Sequence, residues 1–431
     1  MQRLNSQKSA VSRMVEVKFR LPLIMIQTKS TPKIFEFESK KVDTRYQAPL
    51  YAIPLVIGAI GVYLLSLALY ALIESSTARA AAGSISPLSN LLLPGVNPYI
   101  PILAGWAAIV VAVVAHELAH GFIAKINGIN VNKMGILLFL GIPIGAFVEV
   151  DEARLKASPK KSSIAVLSAG ATVNTVIAVI SLVLLVTLVA NGVRPVSGYP
   201  ITGVESNSPL SAAIANTGVN ITAGSVATEI NGVPINGSTF FDYHPTDHVM
   251  LTVVSKTGAT VYPLTLGLWT PSQCVPTNDS DISNATAGVL NATTIRSCIG
   301  ITTYEPGYLG AVSTMYGHSL LNSTLLYLCV PDLPGCASIT PFSYILAPFF
   351  TFSYNLEVYQ VLFWLWFVNI NLAILNILPI YGLDGGQVVR EALDSVFEKN
   401  RWDKRWLKPT LGVISVVFIA ILVSILAVPY L

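Results

Sequence analysis

Charge is scarce in this sequence. Lys, Arg, Asp and Glu make up 11% of 431 residues, against 53% hydrophobic residues and a mean hydropathy of +0.63. So little charge excludes an ordinary water-soluble domain and points to a membrane protein. Cysteine is rarer still: there are four, Cys274, Cys298, Cys329 and Cys336, all within one stretch. Their pairing is not readable from sequence, but their confinement to one region is informative. The first 49 residues are basic and mixed, without the apolar core and small-residue cleavage site of a secretory signal. The net charge of +3 says little, and no nucleic-acid partner is expected.

Long apolar runs, by contrast, are abundant. Five qualify as membrane spans, at residues 50–73, 101–126, 163–191, 359–378 and 411–428. Of the 26 Lys and Arg, ten lie in residues 1–49, six in 125–161 and six in 390–408. Cytoplasmic segments retain positive charge, so five crossings with the N-terminus inside put all three clusters in the cytoplasm and residues 192–358 outside. The four cysteines fall in that outer segment, where disulfides persist. So do six N-x-S/T sequons, at Asn220, Asn236, Asn278, Asn284, Asn291 and Asn322. Sequons in a cysteine-bearing outer region fit a eukaryotic lumen or an archaeal exterior, and the compact plan with short loops favours an archaeal plasma membrane.

Within the second apolar run stands HELAH, His116 to His120. Residues four apart share a helical face, so two imidazoles can reach one metal ion with Glu117 beside them, which is the H-E-x-x-H zinc pattern. Ionisable groups inside a span are functional by default, because burying them without a ligand is costly. His116 lies nine residues before Lys125, about 14 Å of helix from the basic end. Water therefore reaches it through protein rather than lipid.

After this helix, Gly135, Gly141, Pro143 and Gly145 interrupt the apolar pattern. That predicts a hairpin or re-entrant element over 134–148, whose edge can hold a stretched peptide by strand addition; an ordinary structural hairpin fits equally well. KFRLPLIMIQ, upstream, is too short to span and reads as a strand or an interfacial segment. The third span opens with VLSAGATVN, placing Gly170 and Asn174 on one face that is expected to turn toward the protein core. Residues 195–267 turn soluble: a short strand (ITGV), a capped helix (NSPLSAAIANTGV), a strand ending in Asn231-Gly232, and two closing strands. That order resembles a PDZ domain, although a carboxylate-binding loop is not evident. His244 and His248 inside it are also four apart, but Pro245 argues against a regular helix and they read as surface residues.

The fourth span ends in NILPIYGLDGG. Pro379 stops the helix, and Gly382, Gly385 and Gly386 free the backbone around Asp384. Asp384 is then either a third metal ligand or the N-terminal cap of the next helix. With three protein ligands and one open position, a catalytic zinc site activates water, and Glu117 takes its proton and passes it to the leaving amine. Asn174 and Asn376 are candidates for orienting the substrate backbone or stabilising an oxyanion.

HELAH, AGATVN, a PDZ-like insert and NILPIYGLDGG, in that order, resemble the site-2 protease family of zinc intramembrane metalloproteases. The resemblance implies one Zn2+ per chain held by His116, His120 and Asp384, with Glu117 as catalytic glutamate and Asn174 and Asn376 as site residues. It further implies a transmembrane protein substrate, often trimmed first by an upstream protease, within the lipid bilayer. Ala171 stands where the family commonly has proline. The expected fold is a polytopic α-helical membrane protein of about five transmembrane helices with a β-rich, PDZ-like extracytoplasmic domain. Its parts are a cytoplasmic segment (1–49), membrane portions (50–192 and 359–431), the PDZ-like domain (195–267) and a cysteine- and sequon-rich outer segment (268–358). Two other readings compete with proteolysis. A silent PDZ-bearing adaptor or chaperone would tolerate loss of Glu117 or Asp384, and both are present. A zinc transporter would need further carboxylates or histidines in other spans, and the first, third and fifth supply none.

Overall fold

The computed structural model describes residues 15–20, 22–37, 47–74, 86, 93–139, 142–222, 224–235, 243–255, 258–269, 274–275, 297–303, 308–317, 330–332, 337 and 340–430. The chain divides into two units, one of residues 1–184 with 360–431 and one of residues 185–359.

The first unit opens with strands β1 (Val15–Arg20) and β2 (Leu23–Thr28), paired antiparallel. Helices α1 (Pro49–Glu74) and α2 (Ile102–Ile126) follow, the second carrying HELAH. Then come β3 (Val131–Phe139) and β4 (Ile142–Val150), the hairpin expected from the glycine and proline breaks; its tip, 140–141, lies outside the described residues. The segment KFRLPLIMIQ is a pair of strands, and β2 also pairs with β3, giving one sheet in the order β1-β2-β3-β4. Strand β4 is therefore an edge, and it packs on α2. Phe35, fully buried, anchors the N-terminal segment on α2: a Cβ at Gly121 would collide with its ring, and its ring meets Phe122 edge-on at 5.2 Å. A short helix, α3 (Glu152–Ala157), is capped by Asp151, whose carboxylate accepts the Arg154 amide. It leads into α4 (Lys160–Gly192).

In the second unit, β5 (Val193–Pro195), β6 (Tyr199–Pro200) and β7 (Gly203–Val204) precede helix α5 (Pro209–Thr217). The α5 boundaries are written in its sequence: the Ser208 hydroxyl accepts the Ser211 amide, Pro209 opens the first turn, and Gly218 closes it at φ 68°. Strands β8 (Val226–Ile230) and β9 (Val233–Pro234) form a tight hairpin on Asn231 and Gly232, both at positive φ. Then β10 (His248–Ser255) and β11 (Gly258–Thr265) complete the sheet β11-β10-β8-β6, with β9 beside β8. Leu210 and Ala213 of α5 are buried in one cluster with Ile230, Leu251, Tyr262 and Leu264 of that sheet. His248 is exposed on β10 and pairs with the Thr265 hydroxyl at 2.8 Å, a surface role as its sequence setting suggested.

The strands β12 (Gly267–Trp269), β13 (Cys274–Val275), β14 (Ser297–Cys298) and β15 (Ile301–Thr302) show that pairing continues past residue 267. Strand β12 lies between β13 and β14, while β15 returns to pair with β7. A disulfide joins Cys274 to Cys298; Cys329 and Cys336 lie outside the described residues. It closes a separation of 24 residues, which by chain-entropy reasoning stabilises the unit by about 3 kcal/mol. Replacing Cys274 by serine in the full chain should make residues 185–359 markedly more sensitive to limited proteolysis. Unchanged resistance would show that the bridge contributes little. Helix α6 (Tyr308–Gly317) and strand β16 (Phe350–Phe352), which pairs with β5, complete this unit.

The chain returns to the first unit through α7 (Leu356–Ile377), followed by α8 (Asp384–Lys399) and α9 (Leu407–Ala427). Among the described residues five helices, α1, α2, α4, α7 and α9, are long and apolar enough to cross a membrane, matching the five expected spans. Their burial differs: 50% of the apolar window of α7 and 44% of that of α4 are buried, against 17% for α1 and 11% for α9. The two well-covered helices bring Asn174 and Asn376 to HELAH. Helix α1 packs on α7 through a small residue, where a Cβ at Gly61 would lie 2.7 Å from Ile374.

Candidate metal centre

The two histidines of α2 do point the same way. His116 Nε2 and His120 Nε2 are 3.2 Å apart, and Asp384 Oδ2 lies 3.0 Å from the first and 3.2 Å from the second. Among the described residues this is the group of three donors able to hold a metal ion. Three ligands at zinc distances of about 2.0–2.1 Å in a tetrahedron are separated by about 3.3 Å. Two imidazole nitrogens and one carboxylate oxygen, converging at that spacing in a buried setting, therefore fit a zinc ion with a coordination position left open.

Asp384 reaches the histidines because of its glycines. It is the first residue of α8, the N-cap is Leu383, and no side chain caps that terminus. The capping alternative is thus not what its carboxylate does; its Oδ2 lies beside both neighbouring imidazoles instead. Gly382 adopts φ 99°, a left-handed conformation that favours glycine. At Gly385 a Cβ would run into the backbone carbonyl of Ile377, and at Gly386 into that of Ile380. The start of α8 lies directly against the backbone leaving α7, and only glycine permits that approach.

Each histidine is held from behind at its other nitrogen. His120 Nδ1 is 2.7 Å from the Val166 carbonyl, and His116 Nδ1 is 3.2 Å from the Asn174 amide. Between these two, Gly170 leaves room for the His116 ring, with which a Cβ there would collide. The glycine and asparagine expected to face the core thus face the first histidine. Asn376 sits on the opposite side of the ring, its amide 3.3 Å from His116 Nε2 and beside the converging donors.

Glu117 accepts a hydrogen bond from the Val148 amide at 2.9 Å. Val148 pairs with Met134 across the hairpin, yet the Met134 amide is directed the other way, to the Thr28 hydroxyl at 3.1 Å. Met134 and Val148 are therefore a non-hydrogen-bonded pair, and the Val148 amide projects from the free edge of β4. A cavity of about 490 Å³ opens on this arrangement, lined by Glu117, His120, Asp384, Val148, Gln387 and Arg390 among others. Neither Asn174 nor Asn376 is among its lining residues.

Further out, four side chains tie α4 to α8 and to the approach to α9. The Lys160 ammonium meets Asp394 at 2.7 Å and Glu398 at 2.8 Å, and Lys404 meets the same carboxylates at 2.9 and 2.6 Å. These ammonium contacts, Lys160 first, hold the Asp394 carboxyl below the usual carboxylate range. Single exposed pairs contribute about 0–1 kcal/mol. The network matters for geometry more than energy, since it fixes the helix that begins with Asp384.

Sequence reasoning missed Val166, Val148 and this ionic node. The first two act through backbone groups that any residue supplies. The third joins charges 234 residues apart, with no local pattern to signal it.

Comparison with known proteins bears on the same region. A family model described as peptidase family M50 matches residues 104–422, which include every converging donor and three quarters of the chain. With five apolar helices, that match makes the class a multi-pass membrane metalloprotease. The chain belongs to peptidase family M50, whose members are zinc metalloproteases. It is also similar to an uncharacterized protein, MJ0971, of Methanocaldococcus jannaschii, at 46% identity over 86 residues. The match covers 20% of this chain and 23% of that relative's length.

Proposed function

We propose that this protein is a zinc-dependent intramembrane endopeptidase that hydrolyses peptide bonds within or near the transmembrane helices of membrane-anchored substrates. The observation that carries the reading is the meeting of His116 and His120, on a helix with the composition of a membrane span, with the Asp384 carboxylate at the start of α8, the donor atoms lying 3.0–3.2 Å apart. Zinc held by these donors supplies Lewis-acid polarisation and a water of lowered pKa. Glu117, adjacent in sequence and lining the same cavity, takes the proton of the attacking water and returns it to the leaving amine. The outer edge of β4, where Glu117 takes the Val148 amide, offers its remaining backbone groups to hold the substrate in extended form by strand addition. Asn376, whose amide lies 3.3 Å from His116 Nε2, is the candidate for steadying the substrate carbonyl, a role that requires the cavity to open further toward it.

The orientation that goes with this function has the N-terminus and the site on the cytoplasmic side and residues 192–358 outside. The Cys274–Cys298 bridge and the clustering of all six sequons there support it. The strand and helix order of residues 195–267 supports a PDZ-like module that screens out intact proteins, leaving substrates trimmed by an earlier protease. The relative from Methanocaldococcus jannaschii supports an archaeal plasma membrane.

Metal removal tests the chemistry. The purified full chain, reconstituted with a single-span reporter, should lose cleavage on treatment with a zinc chelator and regain it when zinc is returned. Cleavage that persists after the metal has been stripped would refute a metallopeptidase of any kind.

A further inference from the structure

We infer that Asn174 is a positioning residue for the metal rather than a substrate contact: its carboxamide oxygen accepts the Nδ1–H of His116 and so reserves Nε2 of that ring as a ligand. This inference rests on the zinc reading above and concerns the second layer of the same site.

Three observations place Asn174 on the metal's side of the chemistry. It is fully buried, with 0% exposure, and it does not line the cavity that opens on Glu117. Its amide lies 3.2 Å from His116 Nδ1, the nitrogen facing away from His120 and Asp384. Gly170, one turn earlier, gives up its side chain to the same ring.

The proton count then decides the direction of the hydrogen bond. A neutral imidazole carries one proton on two nitrogens. If the Asn174 nitrogen donates to Nδ1, the ring proton sits on Nε2, and Nε2 has no lone pair for a metal. The two ends of a carboxamide are nearly identical in shape, and the Asn174 oxygen has no hydrogen-bond partner where it stands. Exchanging the two ends costs the oxygen nothing and turns the contact into Nδ1–H donating to oxygen. Nε2 is then free.

His120 supplies the precedent within the same site. Its Nδ1 faces the Val166 carbonyl, which can only accept, so Nδ1 carries a proton and, in the neutral ring a metal requires, Nε2 is unprotonated. Val166, Gly170 and Asn174 are spaced four apart on α4 and form one face. That face fixes both rings from behind, at one by a backbone oxygen and at the other by a side-chain oxygen. Such outer contacts typically change metal affinity by about 10–100-fold.

The test is zinc affinity, measured on the full chain by competition with a chromophoric chelator. Asn174→Leu should weaken zinc binding by about 10–100-fold, and Asn174→Asp, which keeps an acceptor, should bring it back close to wild type. In a histidine-labelled, zinc-loaded wild type, nitrogen NMR should show His116 protonated at Nδ1 and coordinated through Nε2; this readout does not depend on how well a variant folds. Wild-type affinity in a folded Asn174→Leu variant, or coordination through Nδ1, would overturn the assignment. A wild-type chain that binds no zinc at all would instead bring down the metalloprotease reading, so the two failures are told apart.

Discussion

Replacing Glu117 with glutamine is expected to abolish peptide-bond cleavage while leaving zinc in place. The substitution keeps size and shape, and the side-chain oxygen that accepts the Val148 amide at 2.9 Å is retained. What it removes is the ability to take a proton. General base catalysis is worth about 10²–10⁴ in rate, so single-turnover cleavage of a reconstituted reporter should fall by at least that factor. Metal content should stay near that of the unaltered protein, because Glu117 is not one of the three converging donors. Undiminished turnover would eliminate Glu117 as the base. The same variant, still able to hold substrate, is the means of trapping and identifying natural substrates.

The second large effect is expected at Asp384. Asp384→Asn exchanges an anionic ligand for a neutral amide that binds zinc poorly, and zinc affinity should fall by more than the roughly 10–100-fold typical of an outer contact. The fold should survive. Asp384 caps nothing, since the N-cap of α8 is Leu383, and the ionic node of Lys160, Asp394, Glu398 and Lys404 holds the helix independently. Equal zinc stoichiometry and affinity in the purified variant would remove Asp384 from the ligand set.

Much of this centre was legible in the sequence because its parts are governed by local rules. HELAH declares a shared helical face by its spacing. The glycines around Asp384 announce a backbone that must pack closely, and Ser208, Pro209 and Gly218 mark the ends of α5 through capping chemistry. The five spans follow from length and hydropathy alone. Other features depend on long-range pairing, which leaves no local trace. Nothing in KFRLPLIMIQ says that it joins a hairpin over a hundred residues away, although Ile26 pairs with Ile136. Asn174 falls between these cases: its spacing from Gly170 indicated an inward face, but not that the group waiting there was the far nitrogen of His116.

The donors that meet at this centre are separated by 268 positions along the chain. A ribosome therefore completes both histidines long before it reaches the aspartate. Until α7 and the start of α8 have been made, the half-made protein holds only an incomplete claim on its metal. A metalloprotease built this way is thus born harmless to its neighbours, and acquires its edge only when assembly is nearly finished.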